Sequence, residues 1–208
     1  SVNLKDQNKT IFETQKEACD YFNVKFGTAI LNDLKEQQDK LFKSCERCRN
    51  KNDNKKSCGG DKTLIRFAAP SDILDVFLML SETDDSWSID VITSAFANPH
   101  NIILVEEDKD KEVVGAVFMS VIASECELQN IVVSQKNKRR GIGERLLKEA
   151  LRISAERGAD VVYLEVRNSN EPARALYKKL GFSFCGCRKN YYKNPTEDAI
   201  LMKKDFCF

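Results

Sequence analysis

Three features between residues 138 and 177 have the residue types needed to hold an anion and to move protons beside it. The first is a basic turn that precedes a helical pattern, Lys138-Arg139-Arg140-Gly141-Ile142-Gly143. Small residues let the main chain approach a ligand, while the free N–H groups and the dipole of a helix N-terminus favour negative charge. Taken alone, such a turn predicts an anion site no more strongly than an ordinary loop with solvated cations.

A carboxylate and a phenol follow this turn. Glu165 lies in the strand pattern of residues 161–166, between two helical segments, so it is expected to face a cleft. Tyr177 is on the inward face of the next predicted helix, which Asn170 caps. A carboxylate can take a proton from an amine, and a phenol can return one to a leaving thiolate. The alternatives are a carboxylate that is ion-paired, with Arg167 as partner, and a tyrosine that only packs in the core.

A second candidate site is built from cysteines near the N-terminus. Cys45 and Cys48 have the spacing of half a tetrahedral zinc site, and Cys58 follows ten residues later. No fourth ligand is obvious: Cys19 is one candidate, and the single histidine, His100, lies in the other predicted domain. At these cysteines, free thiols or a loose disulfide are favoured over zinc. No metal is predicted at the site of Glu165 and Tyr177.

Composition excludes several classes of partner. The net charge is +1, so no overall field attracts nucleic acid, and direct nucleic-acid binding is not expected. No apolar run approaches the roughly eighteen residues of a membrane span, and the first residues do not resemble a signal peptide. The eight cysteines are dispersed over a chain too long to be a disulfide-stapled miniprotein. These observations predict a cytoplasmic protein without membrane association.

Two regions differ in pattern. Residues 1–62 show helical periodicity followed by a basic, polar stretch, which predicts a helical hairpin extension of unknown role. Residues 63–208 alternate between strand and helix patterns, which predicts an α+β domain with a mixed sheet. Its last two strands are expected at 182–188 and 199–203, joined by a loop that contains Tyr191 and Tyr192.

The order of the motifs resembles the GNAT N-acetyltransferase superfamily over about residues 64–205. The Ala175-Leu176-Tyr177 motif belongs to the superfamily pattern, while the segments that resemble its RimI branch are Leu164-Glu165-Val166-Arg167, Ser169-Asn170 and Arg188-Lys189-Asn190-Tyr191-Tyr192. That branch acetylates the N-terminal alanine of small-subunit ribosomal protein number eighteen. The resemblance implies a mostly antiparallel sheet flanked by helices, acetyl-CoA as cofactor, and direct transfer to the N-terminus of a protein or peptide, with a ribosomal protein as one candidate. As alternatives, the acceptor could be a lysine side chain or a small amine. The domain could also be a non-catalytic acyl-CoA-binding or partner-binding module.

The resemblance also implies roles for individual residues. Glu165 matches the general base and Tyr177 the general acid. The residues that match the coenzyme site are Ile131, Val132, Val133, Lys138, Arg139, Arg140, Gly141, Ile142, Gly143, Glu144 and Asn170. Those that match the acceptor side are Trp87, Tyr191 and Tyr192. The chain departs from the family pattern at Lys138, where Gln or Arg is usual, and at Ser86, where proline is usual.

Overall fold

A computed structural model describes residues 63–206 of the chain. The predicted hairpin of residues 1–62 and the candidate zinc ligands Cys45, Cys48 and Cys58 lie outside the described residues. Within the described part, the strands are β1 (Leu64–Phe67), β2 (Asn101–Glu107), β3 (Val113–Ile122), β4 (Glu125–Val133), β5 (Val161–Arg167), β6 (Ser183–Lys193) and β7 (Thr196–Asp205). The α-helices there are α1 (Ile73–Ser81), α2 (Ile89–Ala97), α3 (Ile142–Glu156) and α4 (Glu171–Lys179). None of these helices has the length and apolar character of a membrane span.

The seven strands form a single sheet with the order β1-β2-β3-β4-β5-β7-β6. Only β4 and β5 are parallel, and every other neighbouring pair is antiparallel. The expected α+β fold with a mixed, mostly antiparallel sheet flanked by helices is therefore confirmed.

The end of the chain differs from the prediction. Tyr191 and Tyr192 lie in β6 and not in a loop, because the β6–β7 pairing continues through Tyr192 with Glu197 to Lys193 with Thr196. Residues 189–193 lack the alternation of apolar and polar side chains that marks a half-buried strand, so no local pattern predicts a strand there. The connection is a tight turn at Asn194 and Pro195, whose peptide bond is cis.

A separate apolar core packs on each face of the sheet. The larger core lies under α3 and α4, where Leu146, Leu147 and Ala150 are fully buried. The smaller core lies under α1 and α2, and Phe118 of β3 is its largest fully buried residue. Trp87 packs edge-on against Phe118, with ring centroids 5.1 Å apart. The sheet therefore has a helical layer on both sides.

At the start of α1, the side chain of Asp72 forms contacts other than the usual helix cap. Asp72 is the N-cap residue of this helix, but its side chain makes no cap hydrogen bond to it. The carboxylate instead accepts from the main-chain N–H of Ala69 at 2.6 Å and pairs with Arg66 at 2.6 Å. By contrast, the side chain of Ser88 caps α2, accepting from the N–H of Val91 at 3.4 Å.

The parallel pairing of β4 and β5 ends early. Paired residues run from Glu125 with Val161 to Leu128 with Leu164, although both strands continue beyond that point. A β-bulge interrupts the β3–β4 ladder where Met119 pairs with Leu128 and Phe118 with Asn130, which leaves Gln129 as the extra residue. The two strands therefore part beside the bulge.

We predict that Gly115→Ala lowers the free energy of unfolding by about 1–3 kcal/mol through overpacking. A Cβ at Gly115 would lie 2.8 Å from Cγ2 of Ile142 and 3.1 Å from the carbonyl oxygen of Val132, so α3 would have to move away from β3. Chemical denaturation measures the change. Gly186→Ala is the matched control in another strand, because its Cβ would meet Leu201 at an ordinary 3.9 Å. Equal stability of the two variants would contradict the packing argument.

Candidate active site

A cleft of about 830 Å³ opens where β4 and β5 part. Of the residues predicted for the site, it brings together Trp87, Ile131, Glu165, Asn170, Tyr177, Tyr191 and Tyr192. The basic turn and residues Val132 and Val133 do not line it. The predicted site therefore consists of a cleft and a neighbouring turn.

Glu165 and Tyr177 reach this cleft from opposite sides of the sheet. Leu164 and Val166 belong to the core under α3 and α4, so the alternation of β5 directs Glu165 to the other face. Tyr177 belongs to the α3–α4 core itself. Because both residues line one cleft, the gap between β4 and β5 passes through the sheet. A ligand in this gap is accessible to a carboxylate from one side and to a phenol from the other.

The surroundings of Tyr177 keep its phenol protonated. The residue is only 5% exposed, and its ring lies 5.8 Å from that of Phe182. Burial, with a smaller contribution from Tyr192, raises the pKa of Tyr177 well above that of an ordinary tyrosine. The phenol therefore carries its proton near neutral pH, which is the protonation state that a proton donor requires.

Glu165 is held by two groups of β6. Arg188 Nη1 lies 3.0 Å from Oε1 of Glu165. The hydroxyl of Tyr191 donates a hydrogen bond to the same carboxylate, and this bond raises the pKa of Tyr191. Arg167, the partner named in the ion-paired alternative for Glu165, pairs instead with Asp85 at 2.8 Å. Arg188 was missed because no local pattern predicts a pair between strands that are not adjacent in the sheet.

Arg167 ties together the two segments at the mouth of the cleft. Its buried guanidinium bonds Asp85, in the α1–α2 connection, and donates to the carbonyl oxygens of Asn194 and Pro195 at 3.4 Å. It also lies 4.1 Å from the centre of the Tyr192 ring. Burial is the main cause that raises the pKa of Tyr192 to about 12. The Arg167 guanidinium thus holds both rims of the mouth, the α1–α2 connection and the turn at Asn194 and Pro195.

Two side-chain amide oxygens in the cleft belong to residues that no sequence pattern indicated. Oε1 of Gln129 and Oδ1 of Asn101 are buried without a hydrogen-bond partner, and both residues line the cleft. The orientation of Asn101 follows from its Nδ2, which donates to the carbonyl oxygen of Ala95 at 2.9 Å. Gln129 is the extra residue of the β-bulge, a feature that depends on pairing with β3 and leaves no local signal.

The basic turn has the conformation expected of an anion site. Arg139 and Gly141 have φ values of +64° and +77°, and Gly141 occupies the N-cap of α3 without a side chain to accept hydrogen bonds. The first N–H groups of an α-helix have no intrahelical partners, so those of Ile142, Gly143 and Glu144 can bind an anion. The side chains of Lys138, Arg139 and Arg140 are exposed beside them.

The first turn of α3 also lies beside β4 and α4. A Cβ at Gly143 would lie 3.7 Å from Cγ2 of Val133 and from Cδ2 of Leu176. The carboxylate of Glu144 pairs with Lys148 at 2.8 Å and with Lys179 at 2.6 Å, and these two lysines lower the pKa of Glu144 to about 2. Its side chain is therefore engaged within the protein, and only its main-chain N–H fits the predicted anion site.

The free edge of β4 connects the turn to the cleft. Beyond Leu128, residues 131–133 pair with β3 on one side but not with β5 on the other. The side chain of Val132 is buried in the α1–α2 core, so its main chain is the part that can meet a ligand. An extended ligand with a charged end fits this continuous path of unpaired main-chain groups and turn amides.

Comparison with known proteins assigns the chain to a family. Residues 71–182 match the Acetyltransferase (GNAT) family. The chain belongs to this family of acetyltransferases. It is therefore an N-acetyltransferase that uses acetyl-CoA, as the motifs predicted.

Individual relatives point to one branch of the GNAT family. The N-alpha-acetyltransferase RimI of Mycobacterium tuberculosis is 38% identical over 126 residues, which are 59% of this chain and 77% of the relative. The [Ribosomal protein bS18]-alanine N-acetyltransferase of Salmonella typhimurium is 39% identical over 95 residues, 45% of this chain and 64% of the relative. The crystal structure of the Escherichia coli ribosomal-protein-S18-alanine N-acetyltransferase superposes with a TM-score of 0.66 and 27% identity, covering 71% of this chain and 96% of that one.

Asn170 allows the structural and ligand-binding roles of one residue to be separated. Its Oδ1 accepts from the N–H of Ala173 at 3.2 Å and caps α4, and the residue also lines the cleft. We predict that Asn170→Ala lowers the free energy of unfolding by about 1 kcal/mol and that Asn170→Asp, which preserves the cap, leaves it nearly unchanged. If the amide also contacts the coenzyme, both variants raise KM for acetyl-CoA in steady-state assays. A normal KM in Asn170→Asp would leave the residue with its capping role alone.

Proposed function

We propose that this chain transfers the acetyl group of acetyl-CoA to the N-terminal α-amine of a protein, and that ribosomal protein bS18 is the first acceptor to test. The proposal rests on one observation: a single cleft through the sheet is lined by both Glu165 and Tyr177. The names of the RimI relatives, which act on an α-amine or on bS18-alanine, support the choice of acceptor.

The coenzyme would be held by main-chain groups. The turn from Lys138 to Glu144 offers helix N-terminal amides and three cationic side chains to the pyrophosphate, and the free edge of residues 131–133 offers hydrogen bonds to the pantetheine arm. Acetyl-CoA supplies an acetyl group activated as a thioester. In this arrangement Tyr177 lies on the coenzyme side of the sheet, together with α3 and α4.

The acceptor would enter from the opposite side. Glu165, Tyr191 and Trp87 line the cleft there, with the rims fixed by Arg167. An α-amine has a pKa near 8 and is partly protonated at neutral pH, so it must lose a proton before it can attack. Glu165 takes this proton, which requires the acceptor to replace Arg188 or Tyr191 as a partner of the carboxylate.

Residues on both sides of the gap then take part in the transfer. The amine nitrogen attacks the acetyl carbonyl carbon, and an N–H near Val133 stabilises the charge that develops on the oxygen. The carbon–sulfur bond breaks, and Tyr177 donates its proton to the departing thiolate. The attacking nitrogen keeps one of its three protons, having given one to Glu165 before attack, and it releases the other to solvent once the amide has formed. Glu165 thus ends protonated and Tyr177 ends deprotonated, so proton exchange with solvent must reset the pair.

A covalent cysteine intermediate is the competing chemistry, and the described cysteines do not favour it. Cys126 is buried, and burial raises its pKa to about 11, so little thiolate is present at neutral pH. Cys185 and Cys187 are exposed on β6 and do not line the cleft of Glu165 and Tyr177. Direct transfer is the simpler route.

Acetylation of defined peptides tests the choice of acceptor. The N-terminal peptide of bS18 is compared with the same peptide carrying a blocked α-amine and an added lysine, and CoA release is measured together with the mass and position of the product. We expect release only with the free α-amine. Acetylation of the lysine or of small amines, or CoA binding without turnover on any amine, would contradict an N-terminal specificity.

Replacement of Tyr177 tests the proton donor. We predict that Tyr177→Phe lowers kcat by roughly 10²-fold while the affinity for CoA is almost unchanged, since only the hydroxyl is lost. Because the pKa of Tyr177 is raised, the wild-type rate should not decline as pH approaches the ordinary tyrosine value of about 10. Tyr163→Phe in β5 is the matched control, since Tyr163 does not line this cleft. Equal turnover of the two variants would remove Tyr177 from the mechanism.

Replacement of Glu165 tests the proton acceptor. We predict that Glu165→Gln lowers the rate by roughly 10²-fold at neutral pH. The remaining activity should rise with pH as the acceptor amine, with its pKa near 8, loses its proton to water. Rate profiles from pH 6 to 10, measured at saturating acetyl-CoA, distinguish this from a binding defect. A profile identical in shape and height to that of the wild type would show that the amine ionises without Glu165.

A further inference from the structure

Arg145 connects the coenzyme turn to the interior of the sheet. Its Nε and Nη2 donate to the carboxylate of Glu106 in β2, with Nε 3.2 Å from Oε1. Its Nη1 donates to the carbonyl oxygen of Arg140, within the turn, at 2.9 Å. One guanidinium therefore binds a buried carboxylate and a turn carbonyl at the same time, and neither Arg145 nor Glu106 lines the cleft.

The sequence provides a specific environment for this contact. Glu106 is 0% exposed, and the residue paired with it on β3 is Gly115. A Cβ at Gly115 would meet Ile142 and Leu146, so the absence of a side chain lets the start of α3 lie directly against the sheet. Arg145, one turn into α3, is thereby brought over Glu106. A buried carboxylate requires such a partner, because an unpaired charge in the interior is strongly destabilising.

The contact with Arg140 fixes the direction of a turn amide. In a trans peptide the C=O of one residue and the N–H of the next lie in one plane and point in opposite directions. By anchoring the carbonyl of Arg140, Arg145 therefore directs the N–H of Gly141 away from its own guanidinium. Gly141 has a positive φ and no side-chain cap, so its peptide orientation depends on contacts such as this one.

We propose that Arg145, held by Glu106, is a positioning residue that orients the Gly141 amide for the coenzyme pyrophosphate. This inference rests on the proposed function, in which the turn binds acetyl-CoA. Arg145 acts through the main chain of the turn, with its charge already satisfied by Glu106. The pair, in which only Glu106 is buried, thus transmits the rigidity of β2 and β3 to the coenzyme site.

Two acetyl thioesters separate this role from a general structural one. Arg145→Met is assayed with acetyl-CoA and with S-acetyl-N-acetylcysteamine, which lacks the pyrophosphate. We expect KM for acetyl-CoA to rise by about tenfold or more with kcat within about threefold of wild type, whereas kcat/KM for the truncated thioester stays within about twofold. The KM of Arg145→Lys for acetyl-CoA should lie between those of the wild type and Arg145→Met, because lysine has no planar fork with which to bind both partners.

Matched variants keep the test decisive if Arg145→Met folds poorly. Glu106→Gln combined with Arg145→Met removes the buried charge along with its partner, and it should show the same selective loss. Arg152→Met, which disrupts pairs with Glu149 and Glu156 on the same helix, should behave as wild type. An equal loss with both thioesters, or an unchanged KM for acetyl-CoA, would overturn the inference. Absence of turnover in the wild-type protein with either thioester would instead overturn the proposed function on which it rests.

Discussion

The early end of the β4–β5 pairing is the constraint on which the site depends. Two parallel strands that stayed paired would close the sheet and separate its faces, but pairing stops at Leu128 and Leu164. The β-bulge at Gln129 lies at the point of separation and gives β4 an extra residue just there. Where the strands part, some main-chain N–H and C=O groups have no hydrogen-bond partner on the neighbouring strand. A ligand with its own donors and acceptors can form these hydrogen bonds instead.

The division of the sheet into two faces accounts for the division of chemical roles. The α3–α4 side contributes Tyr177, whose burial keeps the phenol protonated. The other side contributes Glu165, whose carboxylate contacts Arg188 and Tyr191. The proposed acid and the proposed base therefore occupy different surroundings although both line one gap. The ion pairs around the site have a complementary function, since Arg167 fixes the mouth of the cleft and Arg145 fixes the turn.

Much of this was predictable from residues close together in the chain. The glycine turn, the capping asparagine and the alternation around Glu165 are local patterns, and the order of strands and helices placed them in one fold. The partners of the charged residues were not predictable in this way. Glu106 and Arg145 are 39 residues apart, and Arg167 and Asp85 are 82 apart, so only the folded sheet brings them together. The polar end of β6 likewise forms because β7 pairs with it, not because its residues alternate.

The central claim is that a single opening through the sheet holds the coenzyme from one face and the acceptor from the other. A crystal structure with CoA covalently joined to the α-amine of an acceptor peptide tests it most directly. The account predicts the linker in the gap, with the sulfur about 3 Å from the Tyr177 hydroxyl and the nitrogen within reach of Glu165, directly or through one water. A conjugate bound along one face of the sheet, with either residue out of reach, would contradict it.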